Sequence, residues 1–318
     1  MHTKAYPPYP LPREIQEFEC RPLMDPGMVP AAEAGHMRAD DVVLGLELDG
    51  EARAYPWWIM DNHHVANDTV AGRPVVIVLC EACSTGLALD PIVNGRRLTF
   101  EARYFYQGTL ALRDHQTRST WATYLGKAIR GRLKGAELEL LPLFQLEWHA
   151  WRDLHPETLV LPDEPGAREG HGSEFTIGSP LLPEEWGKRP ASFDPRLPNY
   201  ALVLGVVTPT AQRAYRLSTL REAGGVLDDE LGGLPIVAML HLAEGSYGAL
   251  AFSRVLDGRT LTFEASAEGA VDRESGSLWT ARGRAVAGPL AGRQLAFVTS
   301  HIAKWFVWAK NYPSIEIA

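Results

Sequence analysis

Apolar runs broken by Gly, Asn-Gly and Pro set out the same order of elements twice along the chain. Val42 to Leu48 and Ala201 to Val207 read as strands. Each leads by a turn into Arg-Ala-Tyr, at 53–55 and 213–215. A short helix follows, with Pro56 suited to its first turn. Val75 to Leu79 and Ile236 to Leu240 are continuous apolar runs, the pattern of a strand buried on both faces. Asn94-Gly95 and Asp257-Gly258 stand between apolar runs, which marks tight hairpins. Each half closes on an aromatic-rich helix that stops short of a proline: Trp148 to Leu154 before Pro156, and Trp305 to Asn311 before Pro313.

The likeness extends to residue identities. Residues 94–102 read Asn-Gly-Arg-Arg-Leu-Thr-Phe-Glu-Ala, and 257–265 read Asp-Gly-Arg-Thr-Leu-Thr-Phe-Glu-Ala. Gly72-Arg73-Pro74-Val75-Val76 answers Gly233-Leu234-Pro235-Ile236-Val237, and Ser119-Thr120-Trp121 answers Ser277-Leu278-Trp279. The expected fold is therefore α+β, predominantly β: two similar, mostly antiparallel β modules with short flanking helices, related by internal duplication. The expected boundaries are an N-terminal arm (1–40), a first module (41–162), a linker or long loop (163–199) and a degenerate second module (200–318). The recurring Trp148/Trp151 and Trp305/Trp308 pairs fall at helical spacing and read as core.

Composition narrows the function classes. Hydrophobic residues make up 46% and charged residues 22% of 318, as in a soluble globular protein. The net charge of −8 comes without any dense run of Lys or Arg, which argues against nucleic acid or an anionic membrane as partner. The start of the sequence has no apolar signal region, and no run is long enough to span a bilayer. The expected location is the cytoplasm, and the expected partner is a small-molecule substrate or a metal.

The candidate chemistry centres on Cys80 and Cys83, two of only three cysteines. Three thiols do not make a disulfide framework. A buried strand delivers Cys80, and Cys83 follows one turn later, so both sulfurs can converge. That is the geometry of a metal clamp, with sulfurs within about 4 Å, and equally of a dithiol redox pair. The nearest imidazoles are in Asp61-Asn62-His63-His64, and Cys20 in the N-terminal arm can supply a fourth ligand. With Gly72 set on Gly233, Cys80 falls on His241 and Cys83 on Glu244, so the second half lacks the pair.

These residues resemble an uncharacterised prokaryotic family, the domain of unknown function DUF3179. The resemblance runs through Glu51-Ala52-Arg53-Ala54-Tyr55-Pro56, His63, Asn67-Asp68-Thr69, Cys80-x-x-Cys83, Asn94-Gly95-Arg96-Arg97-Leu98-Thr99-Phe100 and His155-Pro156-Glu157-Thr158-Leu159. It covers most of 41–161 and, more weakly, 200–317. The family has Tyr-Cys-Pro-Leu-Cys-Gly where this chain has Leu79-Cys80-Glu81-Ala82-Cys83-Ser84. It has Tyr-Asn-Ser-Asp where this chain has Tyr106-Gln107-Gly108-Thr109. The resemblance implies the Cys pair and His63 as the site. It favours His63 over His64, where the family usually has an acidic residue, and it brings no known reaction.

The leading expectation is a zinc or copper ion held by Cys80, Cys83 and His63, with Cys20 as a further ligand. An open coordination position would permit catalysis on a small molecule. Two alternatives stand beside it. One is a metal-free thiol enzyme with Cys80 as nucleophile, Cys83 as resolving thiol and His63 as base. The other is a non-catalytic binding module whose second copy forms half of a ligand cleft.

Overall fold

Strand β1 (Val42–Leu48) turns through Asp49 and Gly50, both at positive φ, into β2 (Glu51–Pro56). Pro56 then leads into helix α1 (Trp57–His63). In this computed structural model residues 20–107, 109–168, 194–243 and 246–318 are described, together with the backbone of Gln16–Glu17. Glu244, the counterpart expected for Cys83, lies outside the described residues, as does much of the expected linker.

After α1 come β3 (Val65–Val70), β4 (Arg73–Cys80) and β5 (Thr85–Leu89). Strand β4 pairs antiparallel with both neighbours, and Val75 to Cys80 are all buried, which is why its sequence is apolar without alternation. Strand β6 (Leu143–Glu147) returns to pair with β1 and runs into helix α2 (Trp148–Leu154). The second half repeats this order with β7 (Leu202–Val207), β8 (Gln212–Arg216), α3 (Leu217–Glu222), β9 (Val226–Leu231), β10 (Leu234–Leu240) and β11 (Ala249–Ser253). It ends on β12 (Ser300–Lys304) and α4 (Trp305–Asn311). The protein is thus mostly β, with four short α-helices among the described residues.

The sheets correspond. Strands β6-β1-β2 continue into Leu159–Val160, which pairs parallel with β2. Strands β12-β7-β8 continue into Glu316–Ile317, which pairs parallel with β8. Each half also carries a four-stranded antiparallel meander, Phe100 to Arg130 in the first and Phe263 to Ala287 in the second. Both predicted hairpin turns form, with Asn94-Gly95 at φ 51° and 74° and Asp257-Gly258 at φ 51° and 76°. These are the left-handed pairs that a two-residue hairpin requires.

Buried polar contacts recur as well. Tyr55 donates its hydroxyl to Asp68 at 2.7 Å, and Tyr215 donates to Asp229 at 2.6 Å. The Trp121 indole N–H reaches Asp114 at 3.0 Å, and that of Trp279 reaches Asp272 at 2.8 Å. A Cβ on Gly45 would run into Trp151, and one on Gly205 would run into Trp308, so each glycine is the seat of a buried indole.

Two short strands form in the described part of the arm. Leu23–Met24 pairs parallel with β3, and Val29–Pro30 pairs antiparallel with Leu159–Val160. Its prolines leave two-residue edge segments that still find partners. The halves meet where β12 packs on β5 and where Tyr247 N–H donates to the Gln145 carbonyl at 3.1 Å. Arg282 of the second half also pairs with Glu47 of the first.

Candidate functional site

Helix α1 and the end of β4 place the polar residues. Asp61 and His64 lie three apart, on one side of the helix end. His64 caps α1 in the left-handed conformation, φ 58°, with its N–H on the Met60 carbonyl. Its own carbonyl accepts the Leu79 N–H at 2.8 Å, which ties the helix end to β4. Glu81 follows Cys80 at the strand end. As a result Asp61, His64 and Glu81, 7%, 3% and 8% exposed, converge with potential ligand atoms all within 4.8 Å of one another.

His64 Nδ1 lies 3.4 Å from Glu81 Oε2. Two ligands on a tetrahedral ion with bonds of about 2.1 Å stand about 3.4 Å apart. The same separation permits a charge-assisted contact when the imidazole is protonated.

The sulfurs of Cys80 and Cys83 do come together, but as a disulfide. The expected Cys80/Cys83/His63 clamp is therefore not assembled, because neither sulfur is a thiolate. His63, the last residue of α1, is bound by other partners. Its ring nitrogens meet the Arg21 carbonyl at 2.8 Å and the Glu164 carboxylate at 2.8 Å. Cys20 does fold back onto the end of α1, where its thiol donates to the Asn62 carbonyl at 3.0 Å. It packs with the Val65–Val76–Trp121 core, whereas Cys80 and Cys83 pack with Leu110, Tyr124, Trp305 and Trp308.

The second half covers the disulfide. Lys304, at the end of β12, donates its backbone N–H to the Cys83 carbonyl at 3.0 Å and its Nζ to the Ala82 carbonyl at 3.1 Å. The side chain is 1% exposed, and burial lowers its pKa to about 8 against the opposing pull of Glu81. Two further buried groups lie on the same side. The Tyr124 phenol is held well above its ordinary pKa by burial. His301, stacked on Trp308 at 4.4 Å and edge-on to Tyr124 at 5.1 Å, is pushed down to about 3 by burial and is neutral.

The buried cluster contains His64 rather than the expected His63, together with Glu81, which was not among the expected site residues. The available signal was the Asp61–His64 spacing together with a carboxylate inside the Cys-x-x-Cys loop. A cavity of about 210 Å³ lies mainly in the second half, lined by Gly224, Gly225, His241 and Gly269, with Leu154 at the end of α2 on its wall. None of Asp61, His64, Glu81, Cys80 or Cys83 lines it.

Fold and site define a mostly β protein with a buried Asp/His/Glu cluster beside a Cys-x-x-Cys disulfide. The chain belongs to the family described as protein of unknown function, DUF3179, whose model matches residues 22–315 and so spans both halves. No curated protein and no solved structure matches the chain.

Proposed function

We propose that the protein binds a borderline divalent metal ion, zinc foremost, at Asp61, His64 and Glu81. The observation that carries this reading is the convergence of two buried carboxylates and a buried imidazole within 4.8 Å. Burying two negative charges together is costly unless a cation neutralises them. A divalent ion with two carboxylates and a neutral imidazole forms a set of zero net charge. Oxygen and imidazole donors suit zinc or manganese better than copper(I), which prefers thiolates.

Three protein ligands leave a coordination position for water or substrate, the arrangement of catalytic rather than structural zinc sites. Bound there, the ion would polarise a small-molecule substrate or lower the pKa of a water. The two halves, 41–162 and 200–318, are read as copies of one module, with the second serving to cover the site of the first. The matching sheet orders and the paired Asp–Trp contacts support this. A cytoplasmic location fits the composition. Among the described residues, no helix is long and apolar enough to cross a membrane.

The test is calorimetric titration of the full chain with Zn²⁺ and Mn²⁺. His64→Ala and Glu81→Gln should each weaken binding at least about 100-fold, since even outer-shell changes cost 10- to 100-fold. His63→Ala should leave it within that of the parent by a few-fold at most. Equal loss from His63→Ala and His64→Ala would defeat the assignment.

A further inference from the structure

We infer that the Cys80–Cys83 disulfide is a redox-active site and that its state sets the affinity of the metal centre. This rests on the metal reading above and extends it to a second chemistry. Glu81, one of the three ligands, lies inside the ring that the disulfide closes, Cys80-Glu81-Ala82-Cys83. One end of that ring is anchored at the last pair of the β4–β5 ladder, Cys80 opposite Thr85. The loop is further held by Cys83 N–H on the Cys80 carbonyl at 3.2 Å and by Ser84 N–H on the Glu81 carbonyl at 3.0 Å. With both ends bonded through sulfur, the Glu81 backbone has little freedom, and its carboxylate is presented to His64.

Reduction removes the covalent closure and leaves the loop to non-covalent contacts, among them those two hydrogen bonds and the Lys304 clasp. Each ordinary hydrogen bond contributes about 1 kcal/mol net. The freed loop therefore samples conformations in which Glu81 leaves the cluster, and a centre that loses one ligand part of the time binds more weakly. The linkage is reciprocal: an ion that favours the closed loop makes the disulfide harder to reduce.

The reductant is a small dithiol. Its thiolate attacks the Cys80 sulfur, the less deeply buried of the pair, in a loop whose Ala82 is half-buried. The S–S bond breaks as the mixed disulfide forms, and Cys83 leaves as thiolate and takes a proton. The second thiol of the reductant then closes on the mixed disulfide and expels Cys80, which takes the second proton. The protein gains two electrons and two protons, and the dithiol becomes a cyclic disulfide.

The experiment uses Mn²⁺, whose preference for oxygen and nitrogen donors keeps thiolates from substituting for Glu81. Affinity is measured on the full chain as oxidised protein, as protein reduced with dithiothreitol and desalted anaerobically, and on the Cys80→Ser/Cys83→Ser double variant. The expected result is a Kd at least about tenfold weaker in the reduced protein. The double variant should match the reduced protein and ignore dithiothreitol. Equal affinity in both redox states, tighter binding after reduction, or a double variant that binds like oxidised protein would overturn the switch while leaving the metal centre standing. A disulfide that resists dithiothreitol would also overturn it. Absence of Mn²⁺ and Zn²⁺ binding in every form would defeat the metal reading itself, and the switch with it.

Discussion

The backbone N–H of Lys304 donates to the carbonyl oxygen of Cys83 at 3.0 Å, so the last residue of a second-half strand closes over the disulfide loop of the first half. The Lys304 ammonium adds a bond to the next carbonyl, that of Ala82, at 3.1 Å. Lys304→Met keeps the apolar stem and the backbone bond and removes only the ammonium. A lost hydrogen bond from a charged donor costs about 1.5–3 kcal/mol. Because 1.4 kcal/mol is a factor of ten, the loop should open more readily and dithiothreitol should reduce the disulfide at least about tenfold faster. Thiol counting over time measures this. An unchanged rate would mean that Lys304 does not hold the loop.

The centre should be confined to the first half. Leu240 N–H bonds the Gly225 carbonyl at 2.8 Å as Leu79 N–H bonds the His64 carbonyl at 2.8 Å, which aligns the two sites residue for residue. Asp61, His64 and Glu81 then fall on Glu222, Gly225 and Leu242, a set with one carboxylate and no imidazole. His241, the counterpart of Cys80, instead borders the second-half cavity. His241→Ala is expected to leave Zn²⁺ and Mn²⁺ affinities within about twofold of the parent, as for distant sites that share no partner. A tenfold loss in calorimetry would show that the second half contributes to the centre.

Much of the fold was legible because its signals are local. The α2 and α4 limits, Trp148–Leu154 and Trp305–Asn311, coincide with those read from aromatic clusters and following prolines. The Asn94-Gly95 and Asp257-Gly258 turns were equally plain, since few other pairs accept two left-handed residues in succession. The site was only half legible. Convergence of Cys80 and Cys83 follows from their spacing, but spacing alone does not distinguish a clamp from a disulfide. His63 and His64 differ by one helical step, about 100°. Which ring faces β4 depends on α1 ending at His63 and on His64 turning left-handed, with nothing like a glycine to announce it. Glu81 was hidden because a carboxylate in a turn is ordinarily solvated, and its burial depends on packing that brings in β12 from more than 200 residues away.

The two Asp–Trp pairs should contribute alike. Asp114 accepts from the Trp121 indole, the Ser119 N–H and the Thr117 hydroxyl, and Asp272 accepts from Trp279, Ser277 and Ser275 in the same way. Both carboxylates are fully buried. Trp121→Phe or Trp279→Phe keeps an aromatic ring but takes one donor from a buried carboxylate, which costs about 1–3 kcal/mol. Urea denaturation should show a similar loss for each, and the double variant should lose the sum within about 0.5 kcal/mol. A large loss from one and none from the other would mean that the repeated contact has different roles in the two halves.

Acid should destabilise the fold through histidines that are buried neutral. His301 is pushed down to about 3 by burial between Trp308 and Tyr124. His155, tilted against the Trp151 ring at 4.1 Å and accepting from Arg282 at 2.9 Å, is lowered to about 4, also by burial. In the unfolded chain both return to about 6.5. Between 6.5 and the folded values, the unfolded state binds a proton at each ring and the native state does not. Stability therefore rises with pH across that window, and it is lost as pH falls from about 6.5 toward 4 for His155 and toward 3 for His301. The slope reaches about 1.4 kcal/mol per pH unit for His301; the more exposed His155 gives less. Urea denaturation of His301→Phe, which keeps a stacked ring that cannot protonate, isolates the effect. Between pH 5.5 and 4.5 the variant should lose about 1 kcal/mol less stability than the parent. Parallel pH profiles for the two proteins would show that the His301 ring takes up its proton in the native state as readily as in the unfolded one.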